Sequence, residues 1–158
     1  MIELNSKTQQ DFLNREWVQR LLDAGVDMSD AKYCLYDDIR GSFISFYDKE
    51  WGPIFKQEHC ILPTYTVSEL LYKLHEWIYP TIDGKKYAGG LTMMKDAPFY
   101  MFYYKLRHDN GHLPDDINED YIYAEAEYPI ESLAMLLIQC HKKDIGIKTK
   151  DIGDISNK

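Results

Sequence analysis

The chain has only three cysteines in 158 residues, and Cys34, Cys60 and Cys140 stand far apart with no CxxC pair among them. An odd, scattered set excludes a disulfide framework, and His59-Cys60 and Cys140-His141 are direct neighbours rather than ligands at metal spacing. They read as reduced, partly buried thiols. Long apolar runs are missing too: nothing approaches the ~20 residues that cross a bilayer. The opening Met1-Ile2-Glu3-Leu4-Asn5 has neither the basic region nor the apolar core of a signal peptide, so a cytoplasmic protein without membrane contact is expected. Positive charge is in deficit, with 18 Lys and Arg against 26 Asp and Glu and a net charge of −8. Binding to nucleic acid or an anionic membrane needs a cationic surface that displaces counterions, so neither is expected, whereas a basic partner is permitted.

Motifs that carry chemistry are also lacking. There is no G-x-S-x-G, Walker loop, dinucleotide fingerprint or H-E-x-x-H. His108 and His112 sit four apart, but Asn110-Gly111 between them breaks any helix that would aim both at one metal, and no third ligand is specified nearby. His75 lies beside Glu76, off the main apolar stripe of its helix, and reads as a boundary histidine. Gly89-Gly90 has no surrounding glycine-rich cradle for a phosphate. No catalytic residue, cofactor or metal site is expected, and enzyme status stays open with the balance against it.

What is present is an aromatic, globular composition, with 13 tyrosines, and a length that supports one self-sufficient core. The best-specified element is residues 63–80. Thr66 and Glu69 form a capping box, Tyr65 and Leu70 stand at the positions of a hydrophobic staple, and Val67, Leu70, Leu71, Leu74 and Ile78 recur at helical spacing up to Pro80. This is expected to be a central helix on which strands from both sides pack. An earlier helix is expected from Ser6 to about Ala24, capped by Gly25 and striped by Phe12, Leu13, Trp17, Val18, Leu21 and Leu22. Pro129 opens a closing helix whose stripe is Ile130, Leu133, Ala134, Leu137 and Cys140 or His141, ending at Gly146.

Strands are expected at 31–36 and 42–47 with a hairpin turn between, at 86–94, at 99–106 and at 121–127. Residues 48–62 read as loop, and Gly89-Gly90 marks a bulge or a close backbone approach. The strand 99–106 is the most aromatic and is expected to be central. In 121–127, Ile122, Ala124 and Ala126 alternate with Tyr121, Tyr123, Glu125 and Glu127. The predicted fold is α+β, in the order α-β-β-α-β-β-β-α: one antiparallel sheet of about five strands with three helices on one face. Residues 1–150 form the domain and 151–158 a flexible tail.

The most unusual charge feature runs from His108 to His141, which holds Asp109, Asp115, Asp116, Glu119, Asp120, Glu125, Glu127 and Glu131 and no Lys or Arg. A solvated acidic surface is the plain account. The functional account is an interaction face of Tyr121, Tyr123, Glu125, Glu127, Asp115, Asp116, Glu119 and Asp120 for a protein with a basic surface. Tyrosine supplies contact area and a hydroxyl at low entropic cost.

Three stretches resemble small proteins of phages and prophages of gut Bacteroidales: Gly25-Val26-Asp27-Met28-Ser29-Asp30-Ala31-Lys32-Tyr33, Pro63-Thr64-Tyr65-Thr66-Val67-Ser68-Glu69-Leu70-Leu71-Tyr72-Lys73-Leu74 and Tyr128-Pro129-Ile130-Glu131-Ser132-Leu133-Ala134. These motifs are structural, a helix exit, a capping box and a helix start, so no functional residue carries over. The resemblance implies a phage-encoded accessory protein in a bacterial host cytoplasm. The leading expectation is a non-enzymatic protein that works by protein–protein interaction, including counter-defence. Alternatives are a pocket that binds or cleaves a nucleotide, using Tyr side chains and Trp51 beside the 48–62 loop, and a virion or assembly component.

Overall fold

In the computed structural model, which describes residues 2–3, 10–46, 61–82, 84–108 and 121–142, helix α1 spans Arg15–Asp23 and starts at Asn14, whose side chain accepts a 3.0 Å hydrogen bond from the Trp17 N–H. The expected start at Ser6 is corrected for a tertiary reason. Phe12 bridges Thr66, the Leu13 N–H donates to the Tyr65 carbonyl (3.1 Å), and the Thr64 hydroxyl donates to the Leu13 carbonyl (2.8 Å). Phe12 and Leu13 are therefore buried in extended chain, not on a helical stripe. Trp17, Val18 and Leu21 carry the stripe of α1. The helix ends as its glycine predicts. Gly25 has φ 86°, its N–H donates to the Leu22 carbonyl (2.9 Å), and the Val26 N–H donates to that of Leu21 (3.0 Å), the paired bonds of a Schellman cap.

The chain divides into two compact units, Met1–Glu69 and Leu70–Lys158. The first holds a four-stranded antiparallel sheet in the order β1-β3-β2-β4, from β1 (Ile2–Glu3), β2 (Tyr33–Asp38), β3 (Gly41–Phe46) and β4 (Leu62–Thr64). Asp38 pairs with Gly41 across a two-residue turn, Ile39–Arg40, and α1 packs beside β4. Phe12, Leu35 and Ile44 form a buried cluster, with the Tyr33 ring edge-on to Phe12 at 5.3 Å. Residue 61 and Leu62, which opens β4, fall in the stretch expected to be loop; residues 47–60, Trp51 and Cys60 among them, lie outside the described residues.

Helix α2 (Val67–Lys73) carries the boundary between the two units. Its capping box is present: the Glu69 carboxylate accepts from the Thr66 N–H (2.9 Å), and the Thr66 hydroxyl accepts from the Glu69 N–H (3.2 Å). The other Glu69 oxygen accepts from the Lys32 N–H at 3.1 Å. The helix stops long before Pro80, because Trp77 and Ile78 leave it to pair as strand β5 (Trp77–Ile78) with Gly90 and Gly89.

The second unit's sheet runs β10-β8-β7-β5, with β6 and β9 also paired to β7. Its further strands are β6 (Thr81–Ile82), β7 (Lys85–Asp96), β8 (Phe99–Lys105), β9 (Arg107–His108) and β10 (Tyr121–Ala126). The expectation of one sheet of about five strands with three helices on one face is thus corrected. The α+β class and antiparallel pairing hold, but the strands form two sheets, and it is α3 (Pro129–Lys142) that packs on β8 and β10. Turn signals specify which strands are antiparallel neighbours, not which sheet they join. β8 lies between β7 and β10, as its aromatic content implied.

The buried side of α3 is Ile130, Leu133, Ala134, Leu136, Leu137 and Cys140, which resolves the alternative with His141. Ser132 is fully buried in this apolar contact and satisfied twice: its hydroxyl donates to the Ala124 carbonyl (2.7 Å) and accepts from the Phe102 N–H (3.3 Å). On the same side, Ile122, Ala124, Phe102 and Tyr104 are buried. At the sheet rim the Gln139 amide donates to the Tyr123 carbonyl at 2.6 Å.

Candidate functional site: the open side of the second sheet

The side of this sheet opposite those buried residues is defined by register. Tyr123 of β10, Tyr103 of β8 and Thr92 of β7 pair in one row, and Glu125, Met101 and Met94 in the next. Cross-strand partners project to the same side, so each row lies on one face. That face is open to solvent: Tyr123 is 52% exposed, Met94 45% and Trp77 57%. Glu125 is exposed, as is Glu127 just past the strand.

The alternation expected of this strand is present. Along β10, Ile122 and Ala124 point into the core while Tyr123 and Glu125 point out. Tyr121 is paired with Lys105 in the backbone register. Asp115, Asp116, Glu119 and Asp120 lie outside the described residues. So does His112, while His108 belongs to strand β9 rather than to a loop. Among the described residues no group of three His, Cys, Asp or Glu side chains is gathered for a metal, and no helix is long and apolar enough to cross a membrane. His75 is buried, and its carbonyl accepts a hydrogen bond from the Tyr104 hydroxyl beneath the open face. Burial of Tyr104, assisted by the nearby Cys140, pushes its phenol well above the ordinary tyrosine range.

One end of the open face is a groove of about 850 Å³ that sequence reasoning missed. Its floor is small: Gly90 and Ala88 of β7 line it. On one flank stands Trp77, and on the other Lys105 and Arg107, with Glu76 and Tyr103 completing the lining. Register explains the shape. Trp77 pairs with Gly90, and Arg107 pairs with Ala88, so the two smallest side chains of β7 lie between an aromatic strand and a cationic one. A Cβ on Gly90 would stand 3.3 Å from the Trp77 six-membered ring, which therefore lies over the glycine. At Gly89 a Cβ would meet Leu106 at 2.9 Å and the Lys105 carbonyl at 3.1 Å. Pairing stays in register through both glycines, so the pair marks a close approach and not a bulge.

No protein-family model matches the chain, and no curated protein or solved structure is significantly similar to it.

Proposed function

We propose that the chain is a non-enzymatic binding protein that docks a protein with a basic surface against the β10 side of this open face. Tyr123 is the aromatic anchor, and Glu125 and Glu127 supply the charge that steers and selects the partner. The observation that carries this reading is the contrast across one strand: Ile122 is 3% and Ala124 1% exposed, while Tyr123 between them is 52% exposed. A large aromatic held out of the core by a strand locked on its other side is a rigid contact, and rigid aromatics are favoured as interface anchors because little entropy is lost when they dock. The setting we infer is the one the resemblance implies, a phage-encoded accessory protein in a bacterial host cytoplasm, where blunting a defence protein is a task a binding face performs.

The test is capture from host lysate with the tagged full chain, its Tyr123→Ala form and its Glu125→Lys/Glu127→Lys form. A partner held at low salt, released at high salt and absent from both variants is the expected result, since exposed charges are screened over roughly 10 Å at 0.1 M salt. Identical captured proteins for all three forms would overturn the reading.

A further inference from the structure

We propose that the groove between Trp77 and the Lys105–Arg107 edge is a nucleotide site. This goes beyond the docking surface at β10, because it lies toward the other edge of the sheet and uses different residues. A nucleotide needs a flat apolar surface for its base, cations for its phosphates and an acceptor for its sugar or amino groups. The groove places one of each on a single face. Trp77 rests on Gly90 and is still 57% exposed, so its ring is supported from beneath and accessible from above. Any base can stack there, since every base has a π-face. Lys105 and Arg107 stand across the floor on one continuous edge, two residues and therefore about 7 Å apart along the strand. Lys86 is exposed and falls on the same side of β7 by alternation. Glu76, beside Trp77, is the acceptor for ribose hydroxyls or an exocyclic amine.

Two further observations favour a small anion here. The chain carries a net charge of −8, yet this groove is flanked by cations. A cationic recess in an acidic protein concentrates small anions without attracting an extended polyanion. The floor is the second: Gly90 seats the Trp77 ring, Ala88 beside it leaves open the space that a larger side chain would fill, and about 850 Å³ lies within the roughly 300–1,000 Å³ of small-molecule sites.

Isothermal titration calorimetry of the full chain with ATP, adenosine and tripolyphosphate tests this. ATP is expected to bind, with adenosine and tripolyphosphate each at least tenfold weaker because each uses one half of the groove. Arg107→Gln, at an exposed position, and Trp77→Leu are each expected to weaken ATP at least tenfold with an unchanged melting temperature. Gly90→Leu, whose side chain pushes the Trp77 ring off its seat, is also expected to weaken ATP at least tenfold. Tyr123→Ala is expected to bind ATP like the parent, which separates this site from the docking surface. The proposal is overturned if ATP gives no binding heat at millimolar concentration, if tripolyphosphate binds as tightly as ATP, or if Arg107→Gln binds as the parent does.

Discussion

The two sheets use the same pairing rules and bury themselves in different ways. In the first, Leu35 and Ile44 are buried on one side and Cys34 on the other. Side-chain bonds to the backbone tie the unit together, above all those of Glu69 to Thr66 and Lys32. Tyr65 adds to them: its hydroxyl donates to the Asp30 carboxylate and to the Asp27 carbonyl. In the second, a single apolar helix packs on β8 and β10 from one side and the other keeps Tyr123 and Trp77 in water, while the hairpin end of β7 is exposed on both sides, at Met93 and Met94. Exposing that much aromatic and thioether surface gives up hydrophobic stabilisation of about 25 cal/mol per Å². The difference teaches where to look for function: on the side that a fold of this size has leave to cover and does not.

That contrast is open to attack by mutation. The largest effect is expected from Leu133→Ala, since this side chain is fully buried where α3 meets the second sheet. A loss of about 2–5 kcal/mol in chemical denaturation is expected, with hydrogen exchange rising first in β8 and β10. Glu69→Ala in the first unit removes the carboxylate half of a capping box together with the bond to the Lys32 N–H, and a loss of about 1–2 kcal/mol is expected in the same measurement. An equal loss from the two substitutions would show that the units do not differ in what holds them.

Raised pH probes one tyrosine in each unit. Burial, with the Asp30 bond and the neighbouring carboxylates, holds the Tyr65 phenol well above its ordinary 10.0, and burial does the same for Tyr104. Burial also raises the Cys34 thiol above its ordinary 9.0. In each case the folded state keeps its proton after the unfolded chain has lost it. Stability from these groups is therefore complete below pH 9 and falls as pH rises through 9 and then 10. Denaturation midpoints measured across this range should show the fall, and Tyr65→Phe or Tyr104→Phe should each make the upper part shallower. The smallest stability effect belongs to Tyr123→Ala, within about 0.5 kcal/mol, because its side chain covers no core. A larger loss would mean that this face is structural.

Much of this was legible in the sequence where a local signal names its own partner. Thr66 and Glu69 satisfy each other within one turn, Gly25 meets a positive φ at a helix end, and the alternation from Ile122 to Glu125 needs only a sheet with one buried side. The errors arose where a pattern serves two structures. Leu74 and Ile78 are both buried and four apart, which reads as a helix. Ile78 is buried as a strand residue instead, because Trp77 and Ile78 have partners in Gly90 and Gly89. The extended course of Phe12 and Leu13 depends on Thr64 to Thr66, about fifty positions away, which no local window contains. The groove is not legible locally because its members come from four strands, with Lys105 and Arg107 just ahead of the acidic run. The alternation of Ala88 with Gly90 and of Lys105 with Arg107 was the available signal, and only register joins the two.

The amide of Gln139 at the Tyr123 carbonyl has an implication for assembly. β10 ends the strand order among the described residues, and a bare rim of this kind invites another chain to zip on and polymerise. By occupying an acceptor that an incoming backbone would require, Gln139 obstructs that route at Tyr123.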